Sequence, residues 1–176
     1  MTQKEINTYK IIVIMKKLLL ILVATLSISA VSAQKWSVGG RVGSGFQAVA
    51  QYELNSANFI EARFGASWLN TAGDVTADFT VLYNWHVMEM DWTPSEGIWF
   101  FDAGVGLNVG GKQHYAYIGA TGMARLGIRF NDLPLSLSFD WSPSFGPGIA
   151  YAGDLNSTIF NKYGLANMGI SCTYTF

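Results

Sequence analysis

The sequence predicts an all-β protein, an eight-stranded antiparallel up-and-down transmembrane β-barrel that follows a cleaved signal peptide. Three observations favour this fold class. Apolar and polar residues alternate with a period of two in eight segments. Residues 165–176 alternate strictly and stop on Phe176, which predicts a closing strand with an aromatic anchor at a membrane interface. After residue 33, four Arg and three Lys face eleven acidic residues, which is few positive charges for a soluble surface.

The first 33 residues have the order of a targeting segment. Two lysines precede an apolar run at residues 18–26, and small residues follow up to Ala33. This order predicts a secretory signal peptide at residues 15–33. We interpret residues 1–14 as an upstream extension from a mis-called start, and residues 34–176 as the barrel. A membrane anchor is the alternative, because more apolar residues precede the lysines.

Each predicted strand has one apolar and one polar face. The predicted strands, in chain order, are residues 35–42, 46–54, 59–68, 75–87, 98–109, 117–130, 135–142 and 165–176. Their apolar faces begin Trp36/Val38/Val42, Phe46/Ala48/Ala50, Ile60/Ala62/Phe64, Val75/Ala77/Phe79, Trp99/Phe101/Ala103, Ile118/Ala120/Gly122, Leu135/Leu137/Phe139 and Ala166/Met168/Ile170. The predicted connections are residues 43–45, 55–58, 69–74, 88–97, 110–115, 131–134 and 143–164, and they are rich in turn-forming residues.

Alternation alone leaves open which face is inside. In a soluble lipocalin-like barrel or a sandwich the apolar face points inward. Here the polar face carries both signs of charge in mid-strand, and such charges would be costly against lipid. We therefore expect the polar face to line a plugged lumen, in which nearly balanced charges pair. The expected lumen charge network is Arg41, Glu53, Glu61, Arg63, Asp78, Asp102, Arg125, Arg129 and Asp140.

Large aromatic residues on the apolar face fall near strand ends, where the aromatic girdles of membrane barrels lie. The expected girdle is Trp36, Tyr52, Trp68, Trp85, Trp99, Trp141 and Phe176. An even number of strands places both termini on one side, which we expect to be periplasmic. The longest predicted connection, 143–164, then falls outside the cell.

Several short blocks carry a resemblance to a known class. They are Gly40-x-x-Gly43, Phe59-Ile60-Glu61-Ala62, Asp102-Ala103-Gly104-Val105-Gly106, Gly127-Ile128-Arg129-Phe130, the run 133–143 and the closing Tyr174-Thr175-Phe176. In these blocks the chain resembles small outer-membrane β-barrel proteins of the Bacteroidetes type, an OmpA/OmpX-like barrel without a periplasmic domain. The resemblance implies an outer-membrane location and recognition of Phe176 by the barrel-assembly machinery. It implies no defined activity.

No catalytic, cofactor or metal motif emerges from the sequence. Outer-membrane lipid A deacylases and palmitoyltransferases pair a His with Ser and a carboxylate, but neither His86 nor His114 has such neighbours in sequence. Cys172 is the single cysteine, so no intrachain disulfide or cysteine metal site is expected. No basic patch suggests nucleic acid.

These observations predict a monomeric, non-enzymatic envelope protein with a plugged polar lumen. Its expected partners are outer-membrane lipid and lipopolysaccharide, and its external loops make surface contacts or support envelope integrity. One alternative is a small porin-like channel for solutes or hydrophobic molecules, although eight strands enclose an interior that side chains just fill. A second alternative is a lipid-modifying enzyme.

Overall fold

The computed structural model describes residues 35–68, 75–112, 115–150 and 164–176. The described strands are β1 (Trp36–Gly43), β2 (Gly45–Asn55), β3 (Asn58–Ser67), β4 (Thr76–Thr93), β5 (Gly97–Lys112), β6 (Tyr115–Phe130), β7 (Leu135–Trp141), β8 (Ser144–Phe145), β9 (Gly148–Ala150) and β10 (Met168–Thr175). Gly164–Ala166 forms a short 3-10 helix. Among the described residues, no helix is long and apolar enough to cross a bilayer. The expected signal peptide and upstream extension lie outside the described residues.

The sheet closes on itself. Each strand from β1 to β7 pairs antiparallel with the next, and β10 pairs with both β7 and β1. The wall therefore consists of β1 to β7 and β10, and the prediction of a closed eight-stranded antiparallel up-and-down barrel is confirmed. We call the end at which β1 starts and β10 stops the terminal end. The opposite end, which carries the β1–β2 turn, is the loop end.

The β1–β2 turn is as short as the sequence predicts. Gly43 has a φ of 153°, a conformation that side chains on other residues disfavour. Ser44 fixes the turn, because its hydroxyl donates to the carbonyl of Met168 (2.8 Å) and accepts from the Met168 N–H (2.7 Å). The tightness of this turn therefore depends on one glycine and one serine.

The wall continues beyond the end of β7. β8 and β9 continue along β6 without a shift in register. Pro143 and Pro147 interrupt the ladder because proline has no N–H, yet their carbonyl oxygens still accept hydrogen bonds from β6 at 2.9 and 3.3 Å. The prediction of one connection over residues 143–164 is thus wrong for residues 143–150. Residues 151–163 lie outside the described part of the chain.

β4 is longer than the sequence predicts. The predicted connection at residues 88–97 is wrong for residues 88–93, because β4 continues to Thr93, and for Gly97, which begins β5. Residues 94–96 form the turn between the two strands. The register with β5 shifts between His86 and Met88, and again between Met90 and Thr93. One extra residue, Val87, forms a β-bulge at the first shift, and a bulge reverses the phase of alternation beyond it.

The inward face of the wall is mostly polar. The buried residues include Arg, Asp, Glu, Asn, Ser and Thr from every wall strand except β2, which contributes Gln47. The buried apolar residues are Val49, Phe59, Leu82, Phe100, Tyr117 and Met123. Large apolar side chains are instead exposed on the outer face, among them Phe46, Phe64 and Leu107.

Candidate functional site

Charged side chains from four strands meet inside the barrel. Arg41 comes from β1, Glu61 and Arg63 from β3, Arg125 from β6 and Asp140 from β7. Each is at most 2 % exposed. Every one occupies an inward position of its alternating strand, so the period of two determines their common direction. We call these five residues the charged interior cluster.

Asp140 accepts hydrogen bonds from two arginines of this cluster. Arg41 donates from Nε (3.0 and 2.9 Å to the two carboxylate oxygens) and from Nη2 (2.8 Å), and Arg63 donates from Nη1 (3.3 Å). The hydroxyls of Ser142 (2.8 Å) and Ser171 (3.3 Å) also donate to Asp140. Five donor groups therefore compensate a fully buried carboxylate, as burial of a charge requires.

Arg41 reaches Asp140 by crossing a glycine of the intervening strand. Gly169 of β10 is the register partner of Asp140. A Cβ atom at Gly169 would lie 2.6 Å from Cζ of Arg41. The missing side chain at position 169 thus leaves the space in which the guanidinium lies.

Glu61 is the second carboxylate of the cluster. It accepts hydrogen bonds from Arg63 Nε (2.5 Å), Arg125 Nη2 (2.5 Å) and Gln51 Nε2 (2.6 Å). Arg63 contacts both Glu61 and Asp140, so the cluster is continuous. Three arginines and two carboxylates fill the middle of the interior.

Asp78 joins the cluster through an amide instead of an ion pair. Arg41 Nη1 donates to Gln47 Oε1 (3.2 Å), and Gln47 Nε2 donates to Asp78 Oδ2 (2.5 Å). Asn167, at the start of the last strand, accepts from Arg41 Nη2 (3.1 Å). This relay extends the polar contacts of Arg41 toward the loop end.

A separate histidine cluster, which we define as Glu53, His86 and Asp102, lies toward the terminal end. His86 Nδ1 is 2.8 Å from Asp102 and Nε2 is 3.3 Å from Glu53. The ring stacks on Phe59 with centroids 4.8 Å apart. Both ring nitrogens face carboxylate oxygens, a geometry that only the doubly protonated imidazolium satisfies, because only that form donates from both nitrogens.

Arg129 stands apart from the charged interior cluster. Its side chain is 41 % exposed and lies 3.0 Å from Glu89 of β4. Its guanidinium also lies over the ring of Phe100, 5.0 Å from the centroid. The structure therefore places this member of the expected network at the mouth of the barrel.

A cavity of about 50 Å³ separates the histidine cluster from the wall of β6, β7 and β10. Its lining includes His86, Asp102, Arg125, Ser138 and Thr173. Since a water molecule in the liquid takes up about 30 Å³, the cavity has room for one or two. Around this cavity, side chains nearly fill the interior, as expected for an eight-stranded barrel.

Of the seven aromatic residues of the expected girdle, Phe176 follows the last strand directly in sequence, and the other six fall into two groups. Trp68 follows β3 and Trp141 ends β7, both at the loop end, and the Trp141 indole donates to the carbonyl of Leu165 (2.7 Å). The other group lies toward the terminal end and comprises Trp36, Tyr52, Trp85 and Trp99. The rings of Trp36 and Tyr52 are 4.8 Å apart.

Nucleophilic or metal chemistry finds little support around His86. Both of its ring nitrogens contact carboxylates, and no serine hydroxyl bonds to it within the described ranges. His114 lies outside them. In the parts of the chain that the structure describes, no group of three or more His, Cys, Asp or Glu is arranged to hold a metal ion. Cys172 is an exposed free thiol.

Sequence reasoning missed several polar partners of the interior. Gln47, Gln51, Ser142 and Ser171 hydrogen-bond to charged residues there. Gln47, Gln51 and Ser171 occupy the inward phase of the predicted strands, and this phase is the signal that could have found them. Ser142 continues the phase of Asp140 beyond β7.

Comparison with protein-family models, with curated proteins and with solved structures found no match. The fold alone defines the class of protein, which is a closed eight-stranded antiparallel β-barrel with an ion-paired polar interior.

Proposed function

We propose that this protein is a non-enzymatic outer-membrane barrel whose interior is closed by the charged interior cluster. In this proposal both termini are periplasmic and the loop end faces the exterior. The barrel is a small monomeric one of the Bacteroidetes, OmpA/OmpX-like type, folded by the barrel-assembly machinery through Phe176. It contacts lipid and lipopolysaccharide and acts in envelope integrity or in surface contacts through its external loops.

The observation that carries the proposal is the inverted polarity of the wall. Phe46, Phe64 and Leu107 are each more than 60 % exposed, whereas the charged interior cluster is buried. Burying one such apolar side chain contributes about 1.5–3 kcal/mol, and a soluble monomer rarely exposes a large contiguous apolar surface. A lipid solvent removes this conflict, because it covers the outer face while the ion pairs stay inside.

The two groups of aromatic residues support the same placement. Trp36 and Tyr52 lie near one end of the wall and Trp68 and Trp141 near the other. Tyr and Trp prefer the interface between hydrocarbon and water. Two such groups fit the two faces of a bilayer.

The first test is the migration of the protein from an outer-membrane fraction on SDS gels with and without boiling. We expect the unboiled protein to migrate faster and amino-terminal sequencing to begin at Gln34. A soluble protein whose gel migration does not change on boiling would instead support a lipocalin-like barrel, in which the apolar face points inward.

A variant pair sharpens this test. Val105 lies midway along β5 with its side chain exposed, so Val105→Arg places a charge against the hydrocarbon at a cost of about 2–4 kcal/mol. We expect the free energy of insertion of this variant into lipid vesicles, measured by titration with urea, to be less favourable by that amount. Leu133→Arg, on the exposed β6–β7 turn, is the control and should insert normally. Equal insertion of both would contradict the proposal.

A further inference from the structure

β4 has an unpaired edge at the terminal end. Its pairing with β3 stops at Trp85, and the N–H of His86 makes the last hydrogen bond on that side, to Ala57 (2.9 Å). Residues 87–93 continue along β5 alone, with a second shift in register between Met90 and Thr93. Throughout the described ranges, no other strand pairs with this side of the segment. We call residues 87–93 the open edge.

An open edge presents free backbone N–H and C=O groups to which another strand can add. Seven residues are at least as long as the average strand of a globular protein. The turn at residues 94–96 ends the edge, because Pro94 has no N–H to continue a ladder. The backbone of this segment can therefore support one complete added strand.

The side chains of the open edge have two distinct faces. Met88 and Trp92 lie on one side, because Met88 is the register partner of Phe101 and the ring of Trp92 contacts that of Trp99 (centroids 5.4 Å apart). Their side chains are 52 % and 59 % exposed. Glu89, the register partner of Phe100, lies on the other side and contacts Arg129 (3.0 Å). Both Glu89 and Asp91 are exposed. A partner strand thus meets both apolar and acidic positions.

We propose that the open edge binds an extended segment of a partner protein by strand addition. The segment carries Lys or Arg at alternate positions, opposite Glu89 and Asp91, and apolar residues between them, opposite Met88 and Trp92. Opposite charges on directly facing positions stabilise a strand pair. The backbone supplies the pairing, and the two acids select basic segments, Asp91 directly and Glu89 in exchange for its contact with Arg129.

A second copy of this chain fits the edge less well. In a symmetric antiparallel pair centred on Met90, Glu89 of one copy would face Asp91 of the other. Like charges directly opposite each other destabilise a strand pair. The acids therefore oppose self-association while attracting a basic segment.

The proposal is tested by fluorescence anisotropy of a labelled nine-residue peptide that alternates Lys and Val, titrated with the purified protein. One matched peptide replaces Lys by Glu, and another keeps the side chains but is methylated on every backbone nitrogen. We expect the affinity of both matched peptides to be at least roughly tenfold lower, because one loses the charge match and the other loses the backbone hydrogen bonds. Equal binding of the methylated peptide would show charge attraction alone and overturn strand addition.

Two protein variants locate the site. Asp91→Lys should weaken binding of the Lys/Val peptide roughly fivefold and strengthen binding of the Glu/Val peptide, as expected for an exposed charge pair. Asp132→Lys makes the same charge change on the β6–β7 turn at the same end and should leave both affinities unchanged. Equal losses in the two variants would overturn the assignment to the open edge.

The other occupants give different results. If sedimentation shows a dimer and no peptide binds, the occupant of the open edge is a second copy of this chain. Lipids with brominated acyl chains could instead quench the tryptophan fluorescence of Trp92, again without peptide binding. That result would place the β4–β5 hairpin on a bilayer. Either result overturns the proposal. The peptide assay depends on the open edge alone, so its failure leaves the test of membrane insertion unaffected.

Discussion

At the scale of single residues, the interior is organised by carboxylates that each hold more than one arginine. Asp140 binds Arg41 and Arg63, and Glu61 binds Arg63 and Arg125. Removing one partner from such a buried set leaves an uncompensated charge, which costs far more than the net contribution of the intact pair. Substitutions at the shared carboxylates should therefore have the largest effects.

Asp140→Ala is expected to lower the free energy of unfolding by about 3–5 kcal/mol, because Arg41 loses its ion pair and Arg63 loses one of two. The unfolding midpoint in urea, followed by tryptophan fluorescence, measures this change. Asp132→Ala, an exposed turn residue, is the control and should shift stability by no more than about 0.5 kcal/mol. Similar midpoints for the two variants would show that the cluster does not stabilise the barrel.

At the scale of elements, lumen glycines allow neighbouring strands to approach in a strongly curved wall. A Cβ at Gly106 of β5 would lie 2.8 Å from Cα of Leu82 in β4 and closer still to the carbonyl of Val81. Backbone atoms cannot move aside as a flexible side chain can. By contrast, a Cβ at Gly40 of β1 would meet only the carbonyl oxygen of Gln47, at 3.9 Å.

The two glycines therefore predict opposite outcomes for the same substitution. Gly106→Ala should destabilise the barrel by about 1–3 kcal/mol, the usual cost of overpacking. Gly40→Ala should be neutral or slightly stabilising, because alanine reduces the entropy of the unfolded chain. Urea unfolding of both variants compares them directly, and equal destabilisation would mean that curvature does not require Gly106.

The elements also show how far the sequence could be interpreted. Period-two alternation predicted all eight wall strands and the inward phase of Arg41, Glu61 and Arg63, because one pattern determines both. It could not predict the pairing of Arg41 with Asp140, which lie 99 positions apart and meet only through the register of three strands. The end of β4 was missed because two register irregularities, between His86 and Met88 and between Met90 and Thr93, interrupt the alternation. In the sequence, the first of them is marked by two adjacent apolar residues, Val87 and Met88.

At the scale of the whole molecule, the charged interior cluster determines whether the barrel interior is closed or forms an open pore. Arg63 bridges the two carboxylates, and the nearby cavity has room for only one or two water molecules. An ion crossing this interior would have to separate buried ion pairs. The geometry therefore favours a closed barrel over the small channel that the sequence leaves as an alternative.

Removing an arginine should open the interior. We expect the parent protein to show no steady conductance in planar bilayers, and Arg63→Ala or Arg125→Ala to conduct, because each deletes a large side chain from a filled interior and leaves Glu61 with one arginine instead of two. Arg129→Ala is the matched control, since Arg129 lies at the mouth and pairs with Glu89 outside the cluster; it should stay closed. Gel migration without boiling verifies that each variant is folded. Steady conductance of the parent would show that the ion pairs do not block passage and would make the channel the better description of this barrel.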